Sequence, residues 1–138
     1  MANPTLLLEI VTPEAKIYSD QVDTVLVPGA EGDMGVLPLH TPLMTKLNPG
    51  ELKIVKGGVE TRMAVGEGFV EITFDRVSVL TDMAVNESDI DEAAAEAAIK
   101  RAEAALKEEH LDEENHAAVQ ATLLNSIAQL KVKRRRHN

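Results

Sequence analysis

The chain has 138 residues, a length that fits one compact domain, and 44% of them are hydrophobic, enough for a core of ordinary size. Fourteen Lys and Arg against 23 Asp and Glu leave a formal charge of −9, which repels phosphate backbones and argues against a general nucleic-acid binder. The three aromatic residues, Tyr18, Phe69 and Phe74, cannot furnish stacking platforms for bases or sugars, and the absence of Cys removes disulfides, thiolate metal sites and Cys nucleophiles. Leu6, Leu7 and Leu8 are cut short by Glu9, and no run approaches the ~18 apolar residues of a membrane span. The expectation is a soluble protein of the cytoplasm that meets a membrane only through a partner.

All eight Gly and all six Pro fall within residues 1–85. Between these breakers lie short segments rich in Val, Ile, Leu and Thr, and residues 5–11, 22–27, 52–55, 59–65, 69–74 and 77–81 are predicted as strands. Gly57 and Gly58 form a two-residue connection of the kind that a tight hairpin with positive φ requires. Many short antiparallel strands imply a sandwich or barrel.

From residue 86 onward Gly and Pro disappear and Ala dominates, with eight Ala between positions 93 and 105. A first helix is predicted there, with Ser88 as its N-cap and Asp91 three residues on as a carboxylate variant of the capping box. The polar stretch 108–115 holds the turn, and Asp112 caps a second helix in which Val119, Leu123, Ile127 and Leu130 recur at helical spacing beside Ala117, Ala121, Leu124 and Ala128. The two form an antiparallel hairpin. Residues 86–114 carry eleven acids and three bases, whereas 115–138 carry five bases and no acid, so the helices attract. The basic run Lys131, Lys133, Arg134, Arg135 and Arg136 follows Leu130, read as the last apolar position. The division expected is a β domain over 1–85 and a helical domain over 86–138.

Signatures of chemistry are scarce. His110 and His116 are six residues apart and miss the i, i+4 spacing of a helical metal site, so no metal is expected. Gly29, Gly32 and Gly35 lack the Lys-Ser/Thr of a phosphate loop, and Glu31 and Asp33 oppose phosphate. The Ser residues have no neighbouring His to act as base, so no catalytic residue is expected. Two alternatives stay open: a small enzyme using His40 with Asp33 or Glu31, and a basic-tailed nucleic-acid adaptor working through Arg134, Arg135 and Arg136.

The stretch VPGAEGDMGVLPLHTP at residues 27–42, with Pro38, His40 and Pro42 in a Pro-x-His-x-Pro pattern, and the later GEGFVEI at 66–72 closely resemble the epsilon subunit family of the bacterial and chloroplast proton-translocating ATP synthase. The likeness spans essentially the whole chain. It implies an all-β sandwich of about ten short strands followed by a two-helix hairpin, in a subunit that couples without catalysing. The implied partners are the gamma stalk, the c-subunit ring and, transiently, the alpha and beta subunits. The implied location is peripheral, on the cytoplasmic face of the bacterial plasma membrane.

By position, the resemblance assigns Glu31, Gly32 and Asp33 to the c ring and His40 to gamma. In bacterial relatives the hairpin can leave the sandwich and inhibit ATP hydrolysis, and the five-base run would then meet acidic groups of the beta subunits. Some relatives bind ATP through Ile/Leu-Asp-x-x-Arg-Ala at the start of the first helix. Here Ala94 replaces that Arg, leaving Asp91 and Arg101 as weak candidates, and ATP binding is expected to be weak or absent.

Overall fold

In β1 (Leu6–Val11) the side chains of Leu6, Leu8 and Ile10 are buried while Leu7, Glu9 and Val11 are half-buried, the period-two alternation that makes a strand with one face to a core. The computed structural model describes residues 4–39, 41–108 and 112–135. It continues with β2 (Lys16–Val22), β3 (Thr24–Gly29), β4 (Gly32–Val36), β5 (Leu43–Leu47), β6 (Gly50–Lys56), β7 (Val59–Val65), β8 (Gly68–Ile72), β9 (Arg76–Thr81) and β10 (Ala84–Asn86). A 3₁₀ turn at Glu87–Asp89 leads into α1 (Glu92–Leu106) and α2 (Glu113–Arg135).

The strands form one sheet in the order β10-β7-β6-β3-β5-β8-β9-β1-β2, with β4 paired to β3. The sheet folds back on itself as a sandwich: Lys56 at the end of β6 forms an ion pair with Asp20 of β2. The backbone N–H of Asp23 donates to the Val55 carbonyl at 2.8 Å. Sixteen buried residues, from Leu6, Leu8 and Ile10 to Val77 and Val79, fill the single interior. Pairing is antiparallel throughout except between β1 and β9, which run parallel, contrary to the purely antiparallel expectation.

Other expectations are also corrected by local hydrogen bonding. The run 22–27 is not one strand, because the chain bends at Asp23, whose carboxylate accepts the Gly57 N–H at 2.8 Å. Gly57 and Gly58 do turn the β6–β7 hairpin with φ of 57° and 79°. Asp91 rather than Ser88 is the N-cap of α1, its side chain accepting the Ala94 N–H, while Ser88 lies in the 3₁₀ turn and donates to Asn86. Asp112 accepts the Asn115 N–H at 2.8 Å, as the second helix requires.

Gly68, where β8 opens opposite Thr81 of β9, is needed for space: an added Cβ would lie 1.8 Å from the Leu80 carbonyl oxygen, an atom of the rigid backbone. Replacing Gly68 by Ala is expected to destabilise the sandwich by about 3 kcal/mol through forced separation of β8 and β9. Chemical denaturation of the full chain checks this, and a loss below about 1 kcal/mol contradicts it.

Candidate functional site

A helix hairpin on a sandwich has two seams, and their residues decide how firmly each is held. α2 is the helix that packs on the strands, against β6 and β7, and α1 lies mainly on α2. The side chains α2 buries are Ser126, Ala128, Leu130 and Val132. Val132 has no exposed surface and clusters with Ile90 and Ala64, with Met83 and Val85 packed around them. Asn125 donates from its side-chain amide to the Asp82 carboxylate at 3.4 Å across Gly66. A Cβ at Gly66 would fall 1.9 Å from Asp82 Oδ1 and 2.6 Å from Asn125 Oδ1, so the glycine makes room for this crossing.

The alanines of α1 form the other seam. Ala98, Ala102 and Ala105 face Ala118, Val119 and Thr122 of α2 across a groove of about 290 Å³. The alanines join helix to helix, and Val132, packed with Ala64 and Ile90, joins the hairpin to the sandwich.

The basic run is not a tail in the described residues. Lys131, Lys133 and Arg134 belong to the final turns of α2, and the last apolar position is Val132 rather than Leu130. Arg134 forks between two carboxylates of α1, its Nε 2.7 Å from Glu92 Oε1 and its Nη2 hydrogen-bonded to Glu96. The bond to Glu92, with Glu96 adding its charge, raises the Arg134 guanidinium above its already high ordinary pKa. Lys133 donates to the Glu87 backbone carbonyl at 3.2 Å. Arg136 and the side chain of Arg135 lie outside the described residues.

The acidic turn is exposed. Gly29 pairs with Gly32 at the β3–β4 tip, Gly32 has φ of 123°, and Glu31, Gly32 and Asp33 face solvent. Two cavities meet there. One of about 390 Å³ is shared by Glu31, Gly32 and Asp33 with Leu43 and Met44 of β5. The other, about 270 Å³, brings Asp33 together with Arg62, Lys53 and Lys131, so the acidic turn and the end of α2 line one polar groove. His40 lies outside the described residues.

Sequence reading missed an apolar strip on the outer face of the other part of the sheet. Phe69 stands directly opposite Lys46 on one side and Leu80 on the other, and Met44 shares that face two residues from Lys46. Met44, Phe69 and Leu80 are 64%, 56% and 52% exposed. At the end of the strip the Leu39 N–H donates to the Phe74 carbonyl at 3.1 Å, joining two more exposed apolar side chains. The signal was in the unbroken hydrophobicity of pairs such as Phe69-Val70 and Val79-Leu80, apolar on both faces where a solvent-facing strand alternates.

Asp91 and Arg101 are not brought together. The Asp91 carboxylate is engaged as the α1 cap, and Arg101 stands on the groove between the helices, ten residues or about 15 Å along the axis. Among the described residues no group of three or more His, Asp or Glu is placed to hold a metal ion, and no helix is long and apolar enough to cross a membrane.

Residues 5–87 match the family described as ATP synthase, Delta/Epsilon chain, beta-sandwich domain, and residues 88–134 match its long alpha-helix domain. The chain belongs to the ATP synthase epsilon chain family. It is 45% identical over 134 residues to the ATP synthase epsilon chain of Dehalococcoides mccartyi, covering 96% of each chain. It is 44% identical over 131 residues to that of Acidithiobacillus ferridurans, covering 95% of this chain and 92% of the relative. The fold is shared with a chain in the Euglena gracilis mitochondrial ATP synthase (OSCP/F1/c-ring), at TM-score 0.73 and 24% identity over 94% of this chain and 82% of that one. It is shared also with a chain of the Tetrahymena thermophila ATP synthase central stalk and c-ring, at TM-score 0.60 and 13% identity over 96% and 99%.

Because Val132 has no exposed surface and sits among apolar groups, Val132→Asp is expected to detach the hairpin while leaving the sandwich folded. Native-state hydrogen exchange checks this: amides of α2 lose at least ~10-fold protection and those of β1, β8 and β9 keep theirs. Uniform protection throughout would contradict the separability of the two parts.

Proposed function

We propose that the chain is a non-catalytic subunit of the ATP synthase central stalk that links the gamma stalk to the c-subunit ring, and that its helical hairpin regulates ATP hydrolysis. The observation that carries this reading is the unequal covering of the sandwich. α2 covers the outside of β6 and β7, while the outer face of β5, β8 and β9 presents Met44, Phe69 and Leu80 uncovered, with Leu39 and Phe74 at one end. Large apolar side chains left exposed on one sheet face, interleaved with Lys46 and Glu71, mark a place for another protein. Gamma is the partner assigned to it.

The acidic turn supports the second contact. Glu31, Gly32 and Asp33 adjoin Leu43 and Met44 around one cavity, so a ring contact and a gamma contact would lie side by side on the same edge. An exposed pair of carboxylates on a glycine-containing turn suits hydrogen bonding to polar or basic loops of the ring. His40, in its Pro-flanked segment, follows Leu39 and belongs by position to the gamma side. Attachment to the cytoplasmic face of the membrane would come through these partners. Transient contacts with the alpha and beta subunits would come from the hairpin when it leaves the sandwich, through Lys131, Lys133, Arg134, Arg135 and Arg136.

Two tests follow. Phe69→Asp and Leu80→Asp are each expected to weaken binding to purified gamma at least ~10-fold, because they place a charge at the centre of the proposed contact, whereas Val59→Asp at the exposed start of β7 leaves binding unchanged. Equal binding by all three variants would remove the assigned surface. ATP binding is proposed to be weak or absent, since Asp91 is occupied as a cap, Ala94 offers no cation and, among the described residues, Arg101 is the one cation lining its groove. Calorimetry on the isolated chain showing micromolar affinity for ATP would overturn that.

A further inference from the structure

The hairpin is fastened at two ends by different means. At one end the chain itself connects α1 to α2 through residues 107–112. At the other, where the first turns of α1 meet the last turns of α2, no covalent link exists. The helix–helix seam between is lined largely by alanines, and each methyl-sized group contributes only about 0.8 kcal/mol on burial. A seam of that kind would fray from its open end unless something closes it.

We propose that Arg134, forked between Glu92 and Glu96, is the latch that closes the open end of the hairpin, so that ionic strength and acidic partner surfaces competing for one guanidinium set how readily α2 leaves, with no ligand needed. This rests on the regulatory reading of the hairpin given above. Glu92 and Glu96 are one turn apart on the same face of α1, which presets two carboxylates for a planar guanidinium. The fork is half-exposed, with about half of each side chain in water, so it is open to salt and to competitors. Beside it, Lys133 donates to the Glu87 carbonyl and Val132 packs on Ile90, so the latch sits where α2 also meets the segment leading out of the sandwich.

The same cation therefore cannot serve inside and outside at once. With α2 folded back, Arg134 is neutralised by its own chain. Released, it is available to an acidic surface elsewhere. Folding back and outward binding compete for it, and whatever strengthens one weakens the other by the same factor.

The test uses the full chain without partners. The sequence contains no Cys, so Val59→Cys at the exposed start of β7 and Gln120→Cys on exposed α2 take a unique pair of spin labels whose distance distribution reports folded-back against released hairpin. Raising NaCl from about 0.05 to about 0.5 M is expected to lower the folded-back to released ratio several-fold. Arg134→Ala is expected to lower it about 3- to 10-fold at low salt and to remove most of the salt response. Glu92→Gln with Glu96→Gln is expected to match Arg134→Ala, and combining all three should lower the ratio no further, because the groups act as one unit.

A ratio unchanged by Arg134→Ala, a salt response that survives it, or additive effects in the combined variant would each overturn the latch. Circular dichroism confirms that each variant retains its strands and helices. If Arg134→Ala fails that control, the Glu92→Gln, Glu96→Gln pair decides the same question, and an unchanged ratio there overturns the proposal. Gamma and the ring are absent from this experiment, so its failure leaves the stalk reading to its own binding test.

Discussion

Val132 ties the helices to the strands, lying wholly buried with Ile90 and Ala64, and the arrangement of the whole molecule depends on that small seam. Its scale is set by comparison with the sandwich, whose interior holds sixteen buried residues, mostly Leu, Ile and Val. At roughly 1.5–3 kcal/mol per large aliphatic side chain, the strands can stand by themselves, whereas the seam contributes only a few such units against the entropy of ordering two helices. A firm body carrying a loosely held appendage is the direct physical result. It is also the property that a subunit with a movable regulatory arm would need.

The hairpin has a second constraint, in charge. α1 and its flanks are strongly acidic and α2 ends in bases, so antiparallel packing places Arg134 on Glu92 and Glu96. Parallel packing would have put the acids of both helix starts together. Charge thus selects the arrangement that the short connection also demands, and capping by Asp91 and Asp112 marks where each helix begins. The asymmetry of the surface follows. α2 shields β6 and β7, and the strip of Met44, Phe69 and Leu80 on the other part of the sheet is left for an outside protein.

Legibility along the chain tracks locality. β1 and β9 could be read from the alternation of their own residues, and β7 from the Gly57-Gly58 connection that opens it. β2, β4, β5 and β10 could not. β2 (KIYSDQV) is half polar, β4 (GDMGV) contains two glycines, β5 is mostly exposed, and β10 is three residues long. Each is a strand because a neighbour supplies its hydrogen bonds, a fact held by the partner's position and absent from the segment's own composition. The helix boundary missed at Ser88 has the same cause, since Asn86 and the 3₁₀ turn occupy that stretch first.

Composition and periodicity by themselves determined that a strand-rich block full of Gly and Pro precedes an alanine-rich acidic helix and a basic-ended one, because these are properties of residues within one or two turns of each other. The exposed acidic turn at Glu31–Asp33 belongs with them, since its glycines and charges define it locally. Tertiary structure alone decided that α2 rather than α1 meets the sandwich, that Phe69 and Leu80 stand side by side facing outward, and that Arg134 closes on Glu92 and Glu96. Those are choices of face and partner among residues separated by 11 to 68 positions. They depend on which surfaces remain after the strongest burial, in the sandwich, has been satisfied.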